Sequence, residues 1–269
     1  YIVLEDFHYL KSEVQKDFAI ELKAFHESSE LCFIIVGVWL DENKLVIYNG
    51  DLTGRIVPVN ADLWNEDELR EVIQKGEDFL NIRFKESFTS EAIKASSGNV
   101  YIVQETCHRA CNESGIHKTV VGERRLVGDG LNARSLVAEI IQEQSGRYNA
   151  FITNYASGFQ ETALAMHKWL LYPILTSSIE ELSKGLTYRS IRSKITSGHP
   201  QGKNLNPGNI TQALKAVSSL QLSKSIQPII LDYDESNLTL HIVDKGFLIW
   251  LSMQDRNELL STVGLPEMT

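Results

Sequence analysis

Two adjacent acids, Glu5 and Asp6, follow the apolar run Ile2-Val3-Leu4 and precede a stretch with helical spacing. A charged pair at the end of a buried strand is costly unless it is ion-paired or metal-bound. In parallel sheets such strand ends are where ligands collect. The pair therefore suits holding a divalent cation and polarising a water, or more plainly capping the next helix. Near them in sequence stand His8, which either reaches the same ligand or lies on the helix, and Arg55. A guanidinium stabilises spread phosphoryl charge, and the alternative for Arg55 is a surface pair with Asp51 or Asp62. Cys107, His108, Cys111 and His117 invite a zinc reading. However, Cys107 and Cys111 sit four apart on the apolar side of a helix while His108 points about 100° away, so core cysteines are expected.

A second group of residues is cationic. From Leu182 to Leu231 there is no Asp or Glu, and the stretch carries seven Lys and Arg. With −9 overall, the remainder bears −16. Arg189, Arg192, Lys194, Lys203 and Lys215 are the candidate phosphate contacts for a nucleic acid. The competing reading is a solvated basic face. The acids from Asp232 to Glu235 would repel a phosphate backbone, and protein contact or internal regulation is the other use for this region.

The elements that must position these groups follow from periodicity. Ile2–Leu4 and the run from Cys32 to Trp39 read as buried parallel strands. Between them Val14, Phe18, Leu22 and Phe25 space a helix over 12–27. A short helix is expected over 44–48 and a short edge strand over Ile56-Val57-Pro58-Val59. Asn65 followed by Glu66, Asp67 and Glu68 is a helix start, and further helices are expected over 87–96 and 99–112. The charged, Gly-containing stretch 122–130 reads as a linker. Helices follow over 135–144, 160–171, 180–182, 188–195 and 209–222. A hairpin is expected from Ile229–Tyr233 and Leu238–Val243, closed by Phe247–Leu251. Trp39 and Trp64 are expected to pack.

The composition, 43% hydrophobic and 23% charged, is that of a soluble globular chain. No apolar run approaches a membrane span, and the three cysteines form no disulfide framework. A cytoplasmic protein without a membrane partner is expected. The first residue, Tyr rather than Met, fits a trimmed or partial chain.

Ile2-Val3-Leu4-Glu5-Asp6-Phe7-His8-Tyr9-Leu10 resembles a Walker B strand with its helix entry. Phe33-Ile34-Ile35-Val36-Gly37-Val38-Trp39 resembles a sensor-1 strand. Asp51-Leu52-Thr53-Gly54-Arg55 resembles the segment that carries an arginine before the last strand. The chain thereby resembles the C-terminal portion of an AAA+ ATPase, closest to the STAND and origin-recognition-type branches. No G-x-x-x-x-G-K-[ST] occurs, so the phosphate-cradling half of such a site is absent from this sequence.

The resemblance implies an α/β plus α fold. It would comprise a partial parallel αβα ATPase sheet over 1–60, a helical lid over 61–125, a helical linker region over 126–178 and a winged helix over 179–269. It implies ATP and Mg²⁺ as cofactors. Glu5 would hold the metal, Asp6 would act on the attacking water, His8 would contact the nucleotide and Arg55 would assist catalysis. The acids are inverted relative to the family's Asp–Glu order, Gly37-Val38-Trp39 replaces the usual polar sensor, and a sensor-2 arginine is missing. Slow or switch-like hydrolysis is expected.

The function so implied is an ATP-dependent switch controlling oligomerisation or an effector protein, of a kind that in bacteria often serves defence. The alternatives are a DNA-binding initiator or loader, and a non-catalytic scaffold with a degenerate ATPase half. The expected partners are ATP, further copies of the chain or an effector, and nucleic acid.

Overall fold

The computed structural model describes residues 1–38, 44–62, 64–160 and 162–268. It is mixed α/β and mostly helical, with three small sheets among the described residues. The chain divides into two units, one of Tyr1–Asn60, Asn154–Val243 and Gly264–Thr269, the other of Ala61–Thr153 and Asp244–Val263. No described helix is long and apolar enough to cross a membrane.

The first unit begins with β1 (Ile2–Leu4), α1 (Ser12–Ser28), β2 (Phe33–Ile35) and α2 (Lys44–Tyr48). β1 and β2 pair in parallel with Ile2 opposite Phe33, and α1 is the crossover such a pair requires. Phe7, Ala19, Leu45 and Leu52 form the buried core here, with Phe18 and Leu22 packed on it. The inward face of α1 is rotated from the expected one. Gln15 and Ala19 are buried, whereas Val14 and Phe25 are exposed. Gln15 can face inward because its Nε2 donates to Leu10 O at 2.7 Å and its Oε1 accepts from Tyr48 Oη at 3.2 Å.

The edge strand expected over 56–59 does not form. Val57 and Val59 are 86% and 84% exposed. Among the described residues no strand lies beside them, and Pro58 has no N–H to offer one. Trp39, at the end of the expected sensor strand, lies outside the described residues.

The second unit opens with α3 (Glu66–Leu80), β3 (Ile82–Phe84), α4 (Glu86–Ala95) and α5 (Val100–Glu113), then β4 (Arg125–Val127), α6 (Ala133–Glu143) and α7 (Ser145–Ala156). Asn65 and Glu68 start α3 as a reciprocal capping box, at 2.9 and 2.8 Å. Asn99 and Asn132 cap α5 and α6 through Ile102 N and Ser135 N.

β3 and β4 pair in parallel, Ile82 opposite Arg125, so the stretch read as a linker contributes a strand. Only Val127 of that strand is buried while Leu126 is exposed, a run too short to show alternation. The buried Glu77 accepts Phe84 N–H at 2.6 Å, tying α3 to the sheet. Leu69, Ile82, Phe88, Val103 and Leu136 are among the core residues, and Arg109 forks onto Glu143 at 2.9 and 2.7 Å between α5 and α6.

α7 falls where no element was expected. Tyr148, Phe151, Ile152 and Tyr155 are almost fully buried on it. The helix expected from Gln160 starts later, as α8 (Met166–Thr176).

Back in the first unit, α8 is followed by α9 (Ile179–Lys184), β5 (Leu186–Thr187), α10 (Tyr188–Gly198), α11 (Pro207–Lys215), α12 (Val217–Ser223), β6 (Leu231–Asp234) and β7 (Thr239–Ile242). The three strands make an antiparallel sheet in the order β5-β7-β6. The single helix expected over 209–222 is broken at Ala216, whose φ of −89° and ψ of 0° leave helical geometry.

The second unit closes with α13 (Lys245–Ser252) and α14 (Arg256–Thr262). Phe247–Leu251 is therefore helical. Phe247 meets the Tyr148 ring edge-on and Trp250 meets it at a tilt, with ring centres 5.5 and 5.4 Å apart. Asp244 caps α13 through Phe247 N and pairs with Arg147.

Candidate functional site

Glu5 and Asp6 form the turn that leaves β1 at the carboxyl edge of the parallel pair, and both are exposed. Asp6 adopts a left-handed φ of 57°, a conformation that Asp tolerates better than most residues. It stands at the start of a short 3₁₀ turn, Phe7–Tyr9, without bonding that turn through its side chain. The two carboxylates are thus not engaged as a helix cap, which leaves them available to solvent or a cation. Mg²⁺ is commonly bound by one or two carboxylates plus substrate phosphates, and this edge fits that carboxylate half. Among the described residues no group of three or more His, Cys, Asp and Glu is placed to hold a metal alone.

His8 follows in the 3₁₀ turn. Both of its ring nitrogens are shielded without a hydrogen-bond partner, and its ring lies 3.9 Å from that of Tyr9. Burial pushes its pKa down, against the opposing carboxylates of Asp6 and Asp232.

Arg55 is elsewhere. It pairs with Glu27 at 3.2 Å and bonds Asp51 O at 3.1 Å. Glu27 is at the far end of α1 from Asp6, about 22 Å along the helix at 1.5 Å per residue. The fold does not bring Arg55 to Glu5 and Asp6 within one chain, and its carboxylate partner is neither of the two expected.

The cationic candidates separate by environment. Arg189 and Arg192 are exposed on α10, three residues apart and so on one side. Lys194 is half-buried and donates to Thr176 O at 3.1 Å, a structural tie between α10 and α8. Lys215 pairs with Glu235 at 2.5 Å. The side chain of Lys203 lies outside the described residues.

The hairpin acids are not the repulsive surface expected. Asp232 is buried and accepts from Ser218 Oγ at 3.1 Å. Asp234 is buried too and holds the turn through Ser236 N, Asn237 N and Asn237 Nδ2 at 2.7–2.9 Å.

Cys107 and Cys111 pack in the second unit's core. Burial pushes the Cys107 thiol up to about 12, which disfavours the thiolate needed for metal binding or nucleophilic attack.

What the sequence reading missed is a cavity of about 1010 Å³ within the first unit. One wall comes from His8 and the start of α1, with Lys44 and Tyr48 of α2. The other comes from Lys215, Ser218 and Leu222 of α11 and α12, with Asp232 and Tyr233 of β6. No motif announces it, because its walls are some 200 positions apart in the sequence. Compared with known proteins, the chain finds no counterpart: no family model, no curated protein and no solved structure matches it.

Proposed function

We propose that this chain is the C-terminal portion of an AAA+/STAND-like ATP-dependent switch, which couples nucleotide binding or slow hydrolysis to oligomerisation or effector control. The observation that carries the reading is the placement of Glu5 and Asp6. They are two uncommitted carboxylates at the carboxyl edge of a parallel β-α-β unit, where α/β sheets bind ligands. Bound Mg²⁺-ATP would supply the phosphoryl group and neutralise its charge. Glu5 would hold the metal side of that ligand. Asp6 would accept a hydrogen bond from the attacking water at its carboxylate and orient it. Arg55, remote from these acids in its own chain, would serve a neighbouring subunit's site. On this reading the second unit contains the lid, and α9–α12 with the β5-β7-β6 sheet is a winged helix that transmits the nucleotide state.

The test uses the protein expressed from its complete reading frame. Mg²⁺-dependent phosphate release and oligomeric state are measured with and without ATP. Glu5→Ala is expected to lower hydrolysis by at least about tenfold while the fold is retained. Hydrolysis unchanged by Glu5→Ala would falsify the reading.

A second reading, a DNA-binding initiator or loader, is favoured by one observation: the exposed Arg189 and Arg192 on one side of α10. Against it, Lys215, Ser218 and Ser219 of the would-be reading helix line the cavity that they share with residues 8–16.

A further inference from the structure

The cavity of the first unit is the strongest unassigned feature. Its lining residues include His8, with both ring nitrogens shielded and unpartnered, and Tyr233, with its hydroxyl likewise shielded and unpartnered. Buried polar atoms normally find a partner, and two residues lacking one line this cavity; both are shielded in the free protein, so their side chains must turn to meet a ligand.

The lining is also cationic. Lys11, Lys16, Lys44 and Lys215 face Glu13, Glu235 and Asp232. Glu235 is already neutralised by Lys215. Asp232 is buried and accepts from Ser218 Oγ; burial raises its pKa, and the Lys44 charge opposes that rise. Among the described residues Lys11 and Lys16 form no ion pair, Lys44 acts on Asp232 without pairing with it closely, and Lys16 Nζ rests 5.8 Å from the centre of the Tyr48 ring. The remaining wall is apolar, with Ile47, Leu214 and Leu222. Ligand sites combine these elements: an apolar wall and a few polar groups that fix orientation.

We propose that this cavity binds a small phosphorylated molecule with a flat apolar body, the chemistry of a nucleoside monophosphate. Lys11, Lys16 and Lys44 take the phosphate as charged donors. His8 and Tyr233 turn to bond the polar edge of the ligand, and Ile47 and Leu222 pack its flat face. Occupancy would join the β1–α2 segment to the α11–β6 face. The proposal does not rest on the ATPase reading, because neither Glu5 nor Asp6 lines the cavity.

The probe is AMP, titrated calorimetrically into the full chain in EDTA, where a magnesium-dependent site at the strand end is silent. Binding is expected. The double variant Lys16→Ala/Lys44→Ala should weaken it about tenfold or more and flatten its dependence on salt. Tyr233→Phe should weaken it several-fold without lowering thermal stability, since the hydroxyl it removes has no partner in the free protein. Absence of AMP binding in EDTA would overturn the proposal. So would an affinity untouched by both variants. A protein that binds AMP in this pattern but hydrolyses no ATP would retain this site and lose the switch reading.

Discussion

The side-chain amide of Gln221 bonds both backbone groups of Leu231: its Nε2 donates to Leu231 O at 2.7 Å, and its Oε1 accepts Leu231 N–H at 3.0 Å. The same oxygen accepts Ile230 N–H at 2.7 Å, and the side chain is fully buried. One glutamine on α12 thus satisfies backbone groups at the entry of β6, where Leu231 already lies opposite Ile242 of β7. Gln221→Ala would strand these backbone groups in the core. A loss of about 2–4 kcal/mol is expected, measured as a fall in the urea midpoint. Gln221→Glu, which keeps the acceptors but loses the donor, should also destabilise.

Gly185 joins α9 to β5 with a φ of +89°, and a Cβ there would meet His241 Nδ1 at 2.6 Å and Thr239 Cγ2 at 2.7 Å. Gly185→Ala combines backbone strain with a clash against β7. It should cost about 2–3 kcal/mol by chemical denaturation. Gly54→Ala, also at positive φ but with open space beyond, should cost less, about 1 kcal/mol.

The capping box of α3 offers a local test. Asn65→Ala removes the acceptor for Glu68 N–H and is expected to cost about 1 kcal/mol. Because the acids Glu66, Asp67 and Glu68 occupy the first turn, Asn65→Asp should be close to neutral in stability. Thermal melts of the three proteins decide it.

Burial lowers the pKa of His8, His167 and His241 from 6.5, against the carboxylates of Asp6 and Asp232 at His8 and those of Asp234 and Asp232 at His241. A lowered histidine pKa means that the unfolded chain takes up protons first. This contribution to stability is complete above pH 6.5 and falls as the pH drops through and below that value. Asp232 acts in the opposite sense, since burial raises its pKa from 3.8, so the slope is best read in an Asp232→Asn background. Urea midpoints between pH 7.5 and 5.5 should decline there, and His241→Gln should reduce the decline.

For the nucleic-acid reading, Arg189→Ala/Arg192→Ala should reduce duplex affinity and lower the salt slope by about two, one per phosphate contact. Lys194→Ala should instead lower stability, because its ammonium holds Thr176 O. Duplex binding that ignores the two arginines removes α10 as the contact.

Local chemistry carried much of the fold. Asn65 and Asn99 fix where α3 and α5 begin, and the 3.6-residue spacing of apolar positions places the helices around them, because caps and amphipathic faces act over a few residues. The parallel pairing of two apolar runs across a helix was legible for the same reason, and with it the position of Glu5 and Asp6 at a strand end. Tertiary structure decided the rest. Gln15 is inside α1's core face only because Leu10 O and Tyr48 satisfy it, and Arg125–Val127 is a strand only because Ile82–Phe84 lies beside it. Likewise, Phe247–Leu251 is apolar enough for either a strand or a helix, and packing against Tyr148 accompanies its helical state. The cavity is the extreme case. His8 and Tyr233 become neighbours of one space through packing between segments more than 200 residues apart, and no periodicity or short motif encodes a contact of that range.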